Sequence, residues 1–196
     1  MAVMKSLLLA FTFAVFLVSA NFAEESFSMS PMIYEGPIVP GGDNVTLEGT
    51  IEEIFRQILA LNPSYRPEDF PAAPDTQSLS VSPSLEKRSP GHIICDPSGA
   101  ERAWRRKIED GIAYLERVPQ ASHCRVRNRS CARVSCSWDS GIFFCNDRDS
   151  WFEIPCPVLG SYTEDILRTC HQSSTRVSGQ KFDTDNFNVL VKFDKC

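Results

Sequence analysis

Apolar positions along this chain follow three patterns. The first is a run of 12 residues, Leu7 to Val18, apolar but for Thr12, preceded by Lys5 and ending in Val18-Ser19-Ala20. It is shorter than the ~20 residues a membrane-spanning helix needs, and the small residues at its end suit signal peptidase. Residues 1–20 therefore read as a cleaved signal peptide. The second pattern repeats every three to four positions. Thr50-Ile51-Glu52-Glu53 is a capping box, and Ile51, Ile54, Phe55, Ile58 and Leu59 share one helical face until Asn62-Pro63 stops it. Ser98-Gly99-Ala100-Glu101 predicts the start of a longer helix with Trp104, Ile108, Ile112, Leu115 and Val118 on its apolar side, ended by Pro119. Ser161-Tyr162-Thr163-Glu164 predicts a third helix carrying Ile166, Leu167 and Cys170.

The third pattern alternates. From Ser130 to Trp138, one side holds Ala132, Val134, Cys136 and Trp138. Asp139-Ser140 then turns the chain into Gly141–Cys145, which predicts a hairpin. Phe187, Val189, Val191 and Phe193 alternate with Asn188, Leu190, Lys192 and Asp194 as a last strand, Gly91 to Cys95 is a short strand candidate, and residues 119–129 read as a loop. The order β-α-β-β-α-β over residues 89–196 predicts an α+β fold. It is a two-layer α/β sandwich of ferredoxin-like type, one antiparallel sheet with both helices on a single side.

Composition changes this picture upstream. Residues 21–88 hold 8 of the 13 prolines, 11 acidic side chains, 4 basic ones and no cysteine. Their formal charge is −7, against +1 for residues 89–196. Such a stretch closes a core with difficulty, so most of it is expected to be disordered apart from the helix at Ile51. Leu85-Glu86-Lys87-Arg88 marks the boundary. A Lys-Arg pair in a polar stretch, with Leu85 ahead of it, suits a kexin-type secretory protease, and cleavage is expected after Arg88. A second basic run, Arg105-Arg106-Lys107, falls inside a predicted helix and should escape cutting. The apolar stripe at Ile51–Leu59 either covers a face of the downstream domain or is a transient helix without a partner. Asn44-Val45-Thr46 and Asn128-Arg129-Ser130 are sequons for N-linked glycans.

All eight cysteines, Cys95, Cys124, Cys131, Cys136, Cys145, Cys156, Cys170 and Cys196, lie in the last hundred or so residues. An even count without a C-x-x-C pair reads as about four disulfides made in an oxidising compartment, and no metal site is expected. Eight cysteines allow 105 pairings. The one pairing expected here ties Cys196, at the end of the last strand, to the hairpin near Cys136.

The layout of signal, Leu-x-Lys-Arg junction and compact cysteine-rich domain resembles fungal small secreted effectors with kexin-processed pro-segments. The run Cys131-Ala132-Arg133-Val134-Ser135-Cys136, with Ile142, Cys145-Asn146-Asp147, Cys170, Gly179 and Asn188-Val189, is similar to cysteine-rich secreted proteins of filamentous fungi. The β-α-β-β-α-β order also resembles the α/β sandwiches of killer toxins and necrosis-inducing effectors. The resemblance implies an extracellular, non-enzymatic protein that binds a host or competitor protein, glycan or membrane component. No cofactor and no DNA partner are expected, and the domain is expected to be monomeric.

Two other constellations supply alternatives. His123 and His171, with Glu164 and an arginine, contain the groups a small secreted ribonuclease would use, although no nucleophile motif accompanies them. No catalytic residue is therefore assigned. Arg125, Arg127, Arg129 and Arg133 form the other: alternate spacing along an extended segment would aim the first three to one side, as an anion-binding surface requires. The alternative is a solubilising loop, which the domain's charge of only +1 favours. Trp104 and Trp138 read as core. Trp151, in the loop after Cys145-Asn146-Asp147, is the better candidate for exposure. Trp151 and Tyr162 either belong to the core or stack on a sugar of an extracellular glycan or cell wall.

Overall fold

The alternating segments become the centre of the molecule, and they recruit more of the chain than their own pattern announces. The computed structural model describes residues 28–71 and 92–196. The first piece contains strands β1 (Ser28–Ser30), β2 (Ile33–Pro37) and β3 (Asn44–Glu48), helix α1 (Ile51–Leu61) and a 3-10 turn at Pro67–Asp69. The second contains β4 (Ile93–Cys95), β5 (Ala103–Trp104), helix α2 (Arg105–Glu116), β6 (His123–Val126), β7 (Ser130–Cys136) and β8 (Ser140–Asn146). It continues with β9 (Phe152–Pro155), helix α3 (Cys156–Thr169), β10 (Arg176–Val177), β11 (Gly179–Asp183) and β12 (Phe187–Phe193).

Three sheets result. Six strands run in the order β1-β7-β8-β12-β11-β4, four in the order β3-β2-β6-β9, and β10 pairs with β5. Every pairing is antiparallel except β1 with β7. The class is therefore α+β with antiparallel sheets and four disulfides, but the strand order is its own. A split β-α-β sheet would insert the first strand, β4, between the others, whereas β4 sits at the far edge beyond β11. The reason is the β11–β12 hairpin, whose first strand takes the place beside β12.

Residues 28–71 correct the expectation of a mostly disordered acidic segment. They contribute β1 to the first sheet and half of the second, besides the helix the capping box foretold; residues 21–27 and 72–88 lie outside the described residues. In α1 both arms of the box form: Glu53 N donates to Thr50 Oγ1 and Thr50 N donates to Glu53 Oε2. Ile51, Ile54 and Ile58 are fully buried, so the stripe has its partner. α1 packs on α2, with the Phe55 and Tyr114 rings edge to face at 5.6 Å.

The other two capping boxes are not used. α2 starts at Arg105 because Ala103 and Trp104 are taken into the short sheet with Val177 and Arg176. α3 starts at Cys156, with Pro155 as its N-cap and Pro157 in its first turn, where proline's missing N–H is harmless. There Thr163 Oγ1 donates back to Leu159 O at 2.8 Å. Residues 123–126, read as loop, form β6. Ile108, Ile112, Leu115 and Val118 are buried as the helical spacing required.

One extended core lies between the helices and the sheets, and a small cluster of Cys131, Phe143 and Cys145 with Leu190 covers the far face of the large sheet. A bulge in β7 between Arg133 and Ser135 carries Ser135 toward α2. Helix and strand approach so closely there that a Cβ at Gly111 would collide with Ser135 Oγ. The disulfides are Cys95–Cys170, Cys124–Cys156, Cys131–Cys145 and Cys136–Cys196. The last is the expected tie between terminal strand and hairpin.

Candidate recognition surface

Arg125 in β6 and Arg127, one residue past its end, lie on the same side because extended residues two apart share a face. Between them and around them sits the loop from Asp147 to Trp151. The buried side chain of Asn146 fixes this corner: Nδ2 donates to Arg127 O (3.0 Å) and Ser150 O (2.7 Å), while Oδ1 accepts from Arg148 N (2.9 Å). Arg129, in the left-handed region at φ 46°, adds a backbone bond from its N–H to Arg148 O. On this base Trp151 stands 44 % exposed, with the guanidinium carbons of Arg125 and Arg127 at 5.5 and 5.6 Å from its ring centre. Arg148 lies 4.5 Å over the neighbouring Phe152 ring.

The charges here are partly balanced. Arg125 meets Glu35 at 3.3 Å and Glu153 at 3.2 Å, and Arg129 meets Asp149 at 2.8 Å. Among the described residues no carboxylate pairs with Arg127 or Arg148, which leaves two guanidiniums beside aromatic rings. Arg133 does not join them. It lies in the large sheet and pairs with Asp194. Behind the loop, Asp147 accepts from Asn188 Nδ2 at 3.0 Å, and burial pushes its carboxyl above the ordinary carboxylate range.

The opposite end of β8 carries a second aromatic group, which corrects the assignment of Trp104 and Trp138 to the core. Trp138 and Asp139 both have positive φ, 49° and 55°, and Ser137 and Ser140 exchange both backbone hydrogen bonds. This is a two-residue hairpin turn of the type that favours Asn-Gly. Trp138 fills it instead, 75 % exposed, with Lys107 Nζ 5.7 Å from its ring. Trp104 is 44 % exposed under the Arg176 guanidinium at 3.9 Å. Ser140 joins the two, accepting from Trp104 N at 3.0 Å and donating to Trp138 O at 3.2 Å. The two groups stand about 20 Å apart along β8.

The other sequence candidates are dispersed. His123 pairs with Pro155 beside the N-terminus of α3, and His171 follows its C-terminus, about 20 Å away for a helix of this length. The structure does not bring the two imidazoles together. His171 Nε2 lies 2.8 Å from Asp96, whose carboxyl the Arg102 guanidinium and Ser178 hydroxyl hold well below its usual range. Arg105, at the start of α2, caps α3: its guanidinium donates to Leu167 O, Cys170 O, His171 O and Ser174 O. A groove of about 490 Å³ runs between α2 and α3, with Ile112 and Leu167 inside and Glu109, Glu116 and Glu164 along it.

Asn44 is exposed at the start of β3. Asn128 is exposed between β6 and β7, although the Ser130 hydroxyl of its sequon is buried and donates to Arg127 O. Leu85, Lys87 and Arg88, like the signal run, lie outside the described residues. Among the described residues no group of His, Cys, Asp and Glu is placed to hold a metal ion, every cysteine is bonded, and no helix is long and apolar enough to cross a membrane. Comparison with protein-family models, curated proteins and solved structures finds no match to the chain.

Proposed function

We propose that this is a secreted, disulfide-stabilised binding protein of effector or toxin type, processed after Arg88, which acts on a host or competitor by surface recognition. The observation that carries this reading is the placement of all three tryptophans. Each is exposed, and each has a cationic side chain over its ring. Tryptophan and arginine are the residues most enriched where binding energy concentrates in interfaces, since a rigid ring and a planar cation give much contact for little entropy lost. Four disulfides fit a protein made in an oxidising secretory compartment and kept rigid outside the cell.

The surface at Trp151 also supports a second reading, a glycan or cell-wall binder, because an exposed indole flanked by hydrogen-bond donors suits a sugar ring. A ribonuclease has less support, since His123 and His171 stand at opposite ends of α3.

Binding of labelled protein to plant leaf tissue, to intact competitor fungi and to insoluble wall polysaccharide tests the proposal. Trp151→Ala and Trp138→Ala should each lower the relevant binding roughly tenfold or more with all four disulfides intact. Retention on polysaccharide in high salt would favour sugar recognition, whereas salt-sensitive binding would favour an anionic target. Undiminished binding and biological effect in a variant lacking all three indoles would overturn the proposal.

A further inference from the structure

We infer that residues 28–71 are a permanent, non-covalent subunit of the mature protein, not a segment shed on processing. The inference rests on the reading that the chain is cut after Arg88. It concerns what the cut produces: a two-chain complex, not a free domain of residues 89–196.

The argument begins with how the first piece is held. Its Met32, Tyr34, Ile51, Ile54 and Ile58 are completely buried in the shared core. β1 lies parallel to β7, with Ser28 to Ser30 opposite Ser130 to Ala132. β2 lies antiparallel to β6, with Ile33 to Glu35 opposite Arg125 to His123. The same piece therefore closes one edge of each main sheet. Side chains reinforce both seams. Ser135 Oγ donates to Glu52 of α1 beside Gly111 of α2. Tyr65 Oη donates to Arg117 O at 2.8 Å, and Arg125 pairs with Glu35.

No disulfide crosses these seams, because every cysteine lies at or beyond residue 95. Once the peptide is cut, burial and strand pairing alone hold the first piece. Its departure would leave β6 and β7 as bare edges and strip the cover from α2. Unprotected strand edges beside apolar surface recruit other chains, a hazard that folded secreted proteins avoid. Residues 89–196 alone are thus an unfinished fold, and keeping the first piece is what finishes it.

The consequence reaches the recognition surface. Glu35, from the first piece, is one of the two carboxylates that hold Arg125 beside Trp151. The surface is therefore assembled from both chains.

The test uses the full chain after signal removal, purified and treated with a kexin-type protease. Denaturing gels without reductant should show two fragments. Size exclusion and native mass spectrometry of the same sample should show one 1:1 complex, which separates in concentrated urea without reductant. Introducing Ile58→Asp should leave the four disulfides intact by mass yet release the first fragment after cutting. Elution of a soluble, monomeric C-terminal fragment free of the first would overturn the inference while leaving the processing site standing. Failure of the protease to cut at Arg88 would sink the processing reading and the two-chain form with it. A different protease site placed at residues 85–88 would then show, by co-elution or separation of the fragments, whether the docking itself is real.

Discussion

Residues 28–71 and 92–196 share one core but are secured by opposite means. The later piece carries all four disulfides, two of which, Cys95–Cys170 and Cys136–Cys196, close separations of 75 and 60 residues. The earlier piece has no covalent tie except the chain itself. It stays in place because five large side chains are completely buried, three more are nearly so, and two strand edges are matched. Cross-links act chiefly on the unfolded chain, by removing conformations it could adopt, whereas burial acts on the folded state. The same protein is therefore covalently secured in one part and dependent on solvent conditions in the other.

The largest expected effect tests the covalent side. Replacing Cys95 and Cys170 together by serine should cost about 4 kcal/mol, and replacing Cys131 and Cys145, which are 14 residues apart, about 3 kcal/mol. Urea unfolding midpoints of the oxidised proteins measure both. If the first pair costs under about 1 kcal/mol, the later piece is held by its core like the earlier one, and the contrast disappears. Next comes the apolar side. Ile54→Ala removes a fully buried side chain from α1 and should cost about 3 kcal/mol. That loss should appear in the unfolding of the whole uncut chain, followed by tryptophan emission, since all three tryptophans lie in the later piece. An unchanged midpoint would mean that the two pieces unfold independently.

Which of these features the sequence announces depends on the range of the interaction that creates them. The α1 capping box and its stripe are local, and both are present. The expected tie between Cys196 and Cys136 followed from an alternating strand ending beside a hairpin, and it is also present. Strands β1, β2 and β3 were hidden for two reasons. Their prolines and acids depress the hydrophobic signal, and the partners that order them, β6 and β7, lie roughly a hundred residues onward. Tyr34 and Leu47 are the buried apolar side chains of these strands, with Val45 packed partly against the core. The box at Ser98–Glu101 failed because Ala103 and Trp104 find strand partners in Val177 and Arg176, a long-range pairing that overrides a local start signal. At the candidate surface, the shared side of Arg125 and Arg127 was legible from their alternate spacing, and Trp151 from its place in the loop after Cys145-Asn146-Asp147. Trp138 was not, since period-two alternation carried through Ser137 places it inward. Turn formers from Ser137 to Gly141 were the competing signal, and they decide the outcome.

The smallest effect concerns alkali, and it distinguishes the two pieces by chemistry instead of size. Tyr34 and Tyr65 both belong to the earlier piece and both are buried. Burial pushes the Tyr65 phenol up from 10.0 to about 12 and moves Tyr34 in the same direction. A phenol is neutral when protonated, so between these values the folded state holds a proton that the unfolded state has lost. Stability is therefore fully present below pH 10 and declines as the pH rises toward 12. For Tyr65 the loss at pH 11 is about 1 kcal/mol, with Tyr34 adding to it. The cut protein should lose its first fragment more readily at pH 11 than at pH 9, as read by size exclusion, while the disulfide-bonded fragment keeps its mass. Tyr65→Phe removes the titrating hydroxyl together with its bond to Arg117 O. It should weaken the seam slightly at pH 9 and flatten the pH dependence. A dissociation profile of the same slope in that variant would place the alkaline sensitivity elsewhere, and the seam would then be no more solvent-dependent than the cross-linked half.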